Sequence, residues 1–176
     1  MTTFEQRVSA AKAIQDALPD AVERLYEFRG DVTLVIKSEK IVDVCRYCRD
    51  TDGLQFDMFS GVTGVDYYPD SPRFALVYHL YSMRNNISLE LKAYLDDETP
   101  SVESVTSIYP AANWFEREAY DMFGIQINNH PDLRRILMPQ DWEGHPLRKD
   151  YPLGYETVQF SFNFDEINKH KPYAKE

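Results

Sequence analysis

Cysteine is nearly absent, with two in 176 residues, Cys45 and Cys48, and that shortage excludes two classes at once. A disulfide framework needs more bridges than two sulfurs can form, so an intracellular, reducing setting is the expectation. An iron–sulfur cluster normally takes about four thiolates, which this chain lacks. Glycine is also sparse, at seven, and Gly61-Val62-Thr63-Gly64 does not have the GxGxxG spacing of a dinucleotide turn. Cations are outnumbered, 19 Lys and Arg against 29 Asp and Glu, for a net charge of −10. Such a chain has no general grip on phosphate backbones, so a nucleic-acid partner is not expected. No apolar run approaches the roughly 18 uncharged residues of a membrane span. At the amino terminus, Glu5 and Arg7 stand where a signal peptide carries its apolar stretch, so that route of export is not expected either.

What is present is the composition of a folding domain: 43% hydrophobic and 27% charged residues, in a length suited to one core. Aromatics reach 14%, with 12 Tyr and 10 Phe, a choice that suits sheet surfaces and protein interfaces.

Apolar residues at three- and four-residue steps predict a first helix over Phe4 to Leu18, stopped before Pro19. Val22 to Phe28 and Val32 to Ile36 then read as a hairpin about Gly30-Asp31. Ser38 is placed to cap a helix from Glu39 to about Asp50, with Ile41, Val44, Cys45 and Cys48 on one face. A third strand runs through Phe56, Met58 and Val62 toward Tyr67. Phe74 to Tyr81 and Ile87 to Leu95 form a second hairpin with one wet face. Thr99-Pro100 predicts a helical start carrying Val102, Val105 and Ile108 as far as Pro110. Asn113 with Glu116 resembles a capping box opening a helix that ends at Gly124. The order is helix, two strands, helix, three strands, helix, and it predicts an α+β two-layer sandwich with a mixed sheet and a long irregular carboxy-terminal extension. The α+β domain spans 1–127; residues 128–176 form an extended, partner-binding segment.

That extension is the informative part, because long structureless stretches in compact domains are usually functional. Leu133, Ile136, Leu137, Met138, Trp142, Leu147 and Tyr151 need burial, while Arg134, Arg135, Arg148 and Lys149 need anions. Two motifs frame it: Glu116-Arg117-Glu118-Ala119-Tyr120-Asp121-Met122-Phe123-Gly124-Ile125, and His130-Pro131-Asp132-Leu133-Arg134-Arg135-Ile136-Leu137-Met138. A third, Asp141-Trp142-Glu143-Gly144-His145-Pro146-Leu147-Arg148-Lys149-Asp150-Tyr151, follows. Over Asn113 to Gly154 this order of charges, glycines and prolines resembles the thirty-kilodalton subunit of respiratory complex I, the proton-pumping NADH:quinone oxidoreductase. The resemblance implies a non-catalytic member of the peripheral arm with no cofactor of its own, the FMN and iron–sulfur clusters lying in partner subunits. It implies a clamp on the quinone-site subunit, of the forty-nine-kilodalton type, beside neighbouring iron–sulfur subunits, held at the cytoplasmic side of the bacterial inner membrane through those partners. Related membrane-bound hydrogenases and ferredoxin- or F420-linked enzymes stay open as alternatives.

Each motif also has a plainer meaning. Cys45-Arg46-Tyr47-Cys48 has redox or half-zinc spacing, but its sulfurs lie mid-helix on the apolar face, which favours core packing. His130 and His145, with Asp121, Asp132, Asp141 and Glu143, suggest a metal-dependent hydrolase as a different class of function, yet no short ligand spacing such as HExxH links them. Structural hydrogen bonding is the expectation there. Arg117 and Asp121 are spaced for an i, i+4 pair. Glu116 or Glu118 is expected to draw in Arg134, Arg135 or Arg148 as carboxylate–guanidinium forks that fix the extension. Pro146, Leu147, Arg148 and Lys149, with Arg134 and Arg135, are the expected partner interface, and Val158 to Phe164 alternates like a strand that adds to a sheet edge.

Overall fold

A computed structural model describes residues 3–152 and Lys169. Helix α1 (Thr3–Ala17) leads into strands β1 (Val22–Phe28) and β2 (Asp31–Lys37), then a 3-10 turn (Ser38–Lys40) and helix α2 (Ile41–Asp50). Strands β3 (Met58–Asp66), β4 (Phe74–Ser82) and β5 (Ile87–Leu95) follow, then β6 (Ser101–Glu103), helix α3 (Ala112–Phe123) and β7 (Gln126–Asn128). The main sheet has the order β1-β2-β5-β4-β3. Among the described residues its parallel neighbours are β2 and β5, across the α2 crossover, and its other pairs are antiparallel, so the sheet is mixed as expected. One face carries Leu34, Ile36, Leu76, Tyr78, Leu80, Leu89 and Leu91, all buried, beneath Ile14 of α1 and Ile41, Val44, Cys45 and Cys48 of α2. Period-two alternation in β5 and the apolar stripe of α2 thus meet in one core.

The structure revises three of the predicted starts. Thr99-Pro100 opens no helix: Ser101–Glu103 is β6, which pairs in parallel with β7. The Thr99 N–H turns back to the Asp96 carboxylate, and the Gln126 N–H donates to the Pro100 carbonyl, so long-range pairing outweighs the local proline signal. Ser38 begins the 3-10 turn and makes no cap bond; α2 starts at Ile41. Helix α3 starts at Ala112 after Ala111, again without a side-chain cap, so Asn113 and Glu116 form no capping box. Glu116 instead reaches out of its helix to the residues after β6.

Glycine lets α3 lie close on β3. A Cβ on Gly64 would stand 2.5 Å from the Phe123 ring, and one on Gly61 would stand 3.4 Å from Phe115. Those two aromatics are the helix's foothold on the sheet, and they fix the axis round which the next segment is wound.

Candidate functional site

Residues 129–152 form an irregular strap that follows α3 from its first turn to its last. At the root, the His130 side chain has no solvent exposure. Its Nδ1 accepts the Asp132 N–H at 3.0 Å, so Nε2 carries the ring proton and reaches the Asn113 carbonyl at 3.2 Å. One turn on, Arg117 donates from Nε to the Arg134 carbonyl (3.0 Å) and from Nη2 to the Arg135 carbonyl (3.2 Å), its guanidinium lying 5.3 Å from the Trp114 ring. Arg117 therefore makes no i, i+4 pair with Asp121: two peptide carbonyls that would otherwise lack donors take its fork.

Asp121 is the centre of the strap. Its Oδ2 accepts the consecutive N–H groups of Ile136 (3.0 Å), Leu137 (2.7 Å) and Met138 (2.9 Å), and its Oδ1 accepts Arg135 Nη1 at 2.7 Å. Successive N–H groups pointing inward make an anion cradle, here filled by a carboxylate with no solvent exposure. Burial alone pushes such a carboxyl up, but the Met138 and Leu137 N–H groups, Arg135 and the Ile136 N–H outweigh it and hold Asp121 below the usual carboxylate range. Arg135 also donates to the Gly144 carbonyl, drawing the two limbs of the strap together.

At the end of α3 the strap supplies donors for carbonyls that a helix leaves without partners. His145 Nδ1 bonds the Asp121 carbonyl (2.9 Å), the Leu147 N–H the Met122 carbonyl (3.0 Å) and Arg148 Nε the Phe123 carbonyl (2.5 Å). The helix dipole favours cationic groups there. Desolvation nevertheless pushes His145 below its ordinary value, against the Asp121 carbonyl bond, and Arg148 and Arg135 add to the lowering. Gly124 makes the crossing possible: its φ is +71°, and a Cβ would stand 2.5 Å from His145 and 2.6 Å from Arg148.

The strap is then fastened to the sheet. Asp66, at the end of β3, accepts the Lys149 N–H (2.8 Å), the Tyr68 N–H (2.9 Å) and a two-pronged guanidinium from Arg73 (2.9 and 2.8 Å). Burial raises its carboxyl, but those four donors prevail and hold it at about 2. Arg73 bridges onward to Asp150 at 2.8 Å. Asp66, Tyr68 and Arg73 were not among the sequence-predicted site residues. The one hint was an acid closing an otherwise apolar strand.

The expected forks are thus redistributed. Asp121 takes Arg135, Arg134 pairs with its neighbour Asp132, Arg148 binds a carbonyl, Glu118 is exposed, and Glu116 pairs with no arginine among the described residues. Glu116 accepts from Ser104 Oγ (2.7 Å) and the Val105 N–H (2.8 Å) and is fully buried. Pro146 is half-buried along the strap, and Leu133 and Met138 pack against the core. Exposed beside them are Pro131, Lys149, Trp114 (61%), Leu137 (62%) and Leu147 (53%). Cys45 and Cys48 are buried free thiols on the inner face of α2, as core packing predicts. Burial pushes Cys48 up to about 12, which leaves it inert as a nucleophile. Among the described residues no group of three or more His, Cys, Asp or Glu is placed to hold a metal ion. His130 and His145 engage different turns of α3. Tyr155 and the Val158 to Phe164 stretch lie outside the described residues.

The arrangement is built to hold a segment in place. Comparison with known proteins agrees with that architecture. Residues 34–157 match the model of the family described as "Respiratory-chain NADH dehydrogenase, 30 Kd subunit". The NADH-quinone oxidoreductase C subunit of Roseiflexus sp. (strain RS-1) is 53% identical over 163 residues, 93% of this chain and 94% of the relative. Its counterpart from Geobacter sulfurreducens is 53% identical over 128 residues, 72% of this chain and 78% of that one. Among solved structures, a trypsin-resistant fragment of Nqo5 superposes with a TM-score of 0.61 at 28% identity, covering 75% of this chain and 100% of the fragment. A chain of an archaeal membrane-bound sulfane sulfur reductase shares the fold, with a TM-score of 0.69 at 23% identity over 93% of this chain and 90% of its own. This chain belongs to the respiratory-chain NADH dehydrogenase 30 Kd subunit family.

Proposed function

We propose that the chain is a non-catalytic scaffold in the peripheral arm of a proton-pumping NADH:quinone oxidoreductase, where it clamps the forty-nine-kilodalton-type quinone-site subunit beside neighbouring iron–sulfur subunits. The observation that carries this reading is the two-sided strap. Its backbone is pegged to α3 by Asp121 and Arg117 and to β3 by Asp66, its Arg148 side chain holds the Phe123 carbonyl, and Leu137 (62% exposed) and Leu147 (53%) are held in water. Ordering an irregular segment costs roughly 1–2 kcal/mol per residue in backbone entropy. Meeting that cost in order to present leucines suits a surface that a partner covers.

The role is positional. Transfer of electrons to quinone requires cluster and quinone pocket to keep a fixed spacing, and a rigid clamp supplies this without carrying an electron. FMN and the iron–sulfur clusters belong, on this reading, to partner subunits. No helix among the described residues is long and apolar enough to cross a membrane; attachment at the cytoplasmic side of the bacterial inner membrane would run through the partners. Affinity isolation of the tagged chain from native membranes tests the proposal. Recovery of a large assembly containing flavin and iron–sulfur clusters is expected, and recovery of the chain alone would refute it.

A further inference from the structure

Buried carboxylates normally meet an arginine or lysine. Among the described residues Glu116 does not. Its side chain is 1% exposed, and His130 Nε2 lies 3.8 Å from Oε2. From the residues after β6 it meets the Ser104 hydroxyl and the Val105 N–H. From α2 the Cys45 thiol faces it, and from β4 the Tyr78 hydroxyl, both fully buried and close enough for a charge on Glu116 to oppose their ionisation. The Tyr78 hydroxyl has no hydrogen-bond partner among the described residues. His130 Nδ1 accepts the Asp132 N–H, so the ring presents Nε2–H on the Glu116 side, and no lysine or arginine among those residues contacts the carboxylate.

The surroundings nevertheless suit both protonation states. The Ser104 and Thr106 hydroxyls are 2.8 Å apart and donate in either direction. With Glu116 ionised, Ser104 donates to Oε2. With Glu116 neutral, Oε2 donates to Ser104, which turns its own proton toward half-buried Thr106. Hydrogen bonding is conserved between the two states, so the cost of enclosing the charge decides between them. Burial pushes this carboxyl up to about 7, against the Val105 and Ser104 bonds.

We propose that Glu116, with His130 beside it, is a proton-linked latch at the root of the strap. When neutral it closes the residues after β6, α3 and the segment after β7 into one unit; when ionised it favours a local opening in which the carboxylate reaches water. The closed state binds the proton more tightly than the open one. Closure is therefore complete below the open-state value and weakens as pH rises from there to the closed-state value. Between the ordinary open-state value of about 4.3 and the closed-state value the opening equilibrium grows by up to about tenfold per pH unit, and above the closed-state value, where both states are ionised, it levels off. Any consequence for docking rests on the clamp reading above, whereas the latch itself is tested on the free chain and stands or falls separately.

Amide hydrogen exchange at Val105 and Asp132, corrected for intrinsic base catalysis and followed from pH 5 to 8.5 on the whole chain, reads the latch. Protection should fall by up to about tenfold per pH unit between about pH 5 and pH 7 in the parent, level off above that, and stay flat throughout in Glu116→Gln. Flat protection in the parent, or an equal slope in Glu116→Gln, would overturn the proposal. A second measurement needs no variant: the 13C shift of the Glu116 carboxyl should titrate near neutral pH, and a midpoint at the ordinary glutamate value of about 4.3 would overturn it as well.

Discussion

Asp121 accepts four hydrogen bonds with a side chain closed to water, and Asn in its place would set an amide N–H against the N–H groups of Ile136, Leu137 and Met138. Arg135, only 13% exposed, would lose its charge partner. Asp121→Asn should therefore cost about 3–5 kcal/mol and free the strap, which a denaturation midpoint and limited proteolysis at residues 134–138 would register together. Unchanged resistance to protease would show that the cradle does not hold the segment. Acid should act through the same groups. Asp66 is held at about 2 and Asp121 below the ordinary range. Both contribute stability that is present above about pH 4 and lost as pH falls through their lower folded values. The strap should therefore detach between about pH 4 and pH 2, before the sheet unfolds, and the Trp142 signal should report it ahead of far-UV ellipticity. Glu116 has the opposite sign, since the stability that a raised carboxyl contributes is lost as pH rises from the ordinary glutamate value toward about 7.

At the scale of elements, the position of α3 depends on two glycines with different roles. Gly64 admits the Phe123 ring, so Gly64→Ala should overpack the α3–β3 contact at a cost of about 1–3 kcal/mol. Gly124 turns the chain at φ +71° beneath His145 and Arg148, so Gly124→Ala should move the strap more than the core. Thermal midpoints together with His145 ring shifts separate the two; equal effects on both readouts would contradict the assignment. The strands of the main sheet were legible because turns bound them and their apolar residues either alternate, as in Ile87–Leu95, or run on without a break, as in Asp31–Lys37, which is buried on both faces. The start of α3 and the strand β6 were not. Asn113 and Glu116 have the spacing of a capping box, yet tertiary burial drew Glu116 to Ser104 and Val105, and the Pro100 carbonyl accepts from a residue after α3. Local signals of these kinds give way when a more distant residue supplies a better bond.

For the whole molecule, the sequence announced that the strap needs anions and cover, but it did not say which anions. Asp121 serves Arg135, and Asp66, 83 residues from Lys149, anchors the end of the strap. No spacing rule links those positions, because only the tertiary fold brings the end of β3 beside the strap. The strap's inner face is satisfied within the chain, leaving Leu137 and Leu147 as the exposed feature that the clamp proposal must account for. Replacing both by Asp tests this directly, since each is more than half exposed and exposed substitutions change stability little. The doubly substituted chain should keep the parent's denaturation midpoint and protease resistance, yet fail to co-isolate with flavin and iron–sulfur clusters from native membranes. A complete assembly with normal NADH:quinone reductase activity would contradict the account.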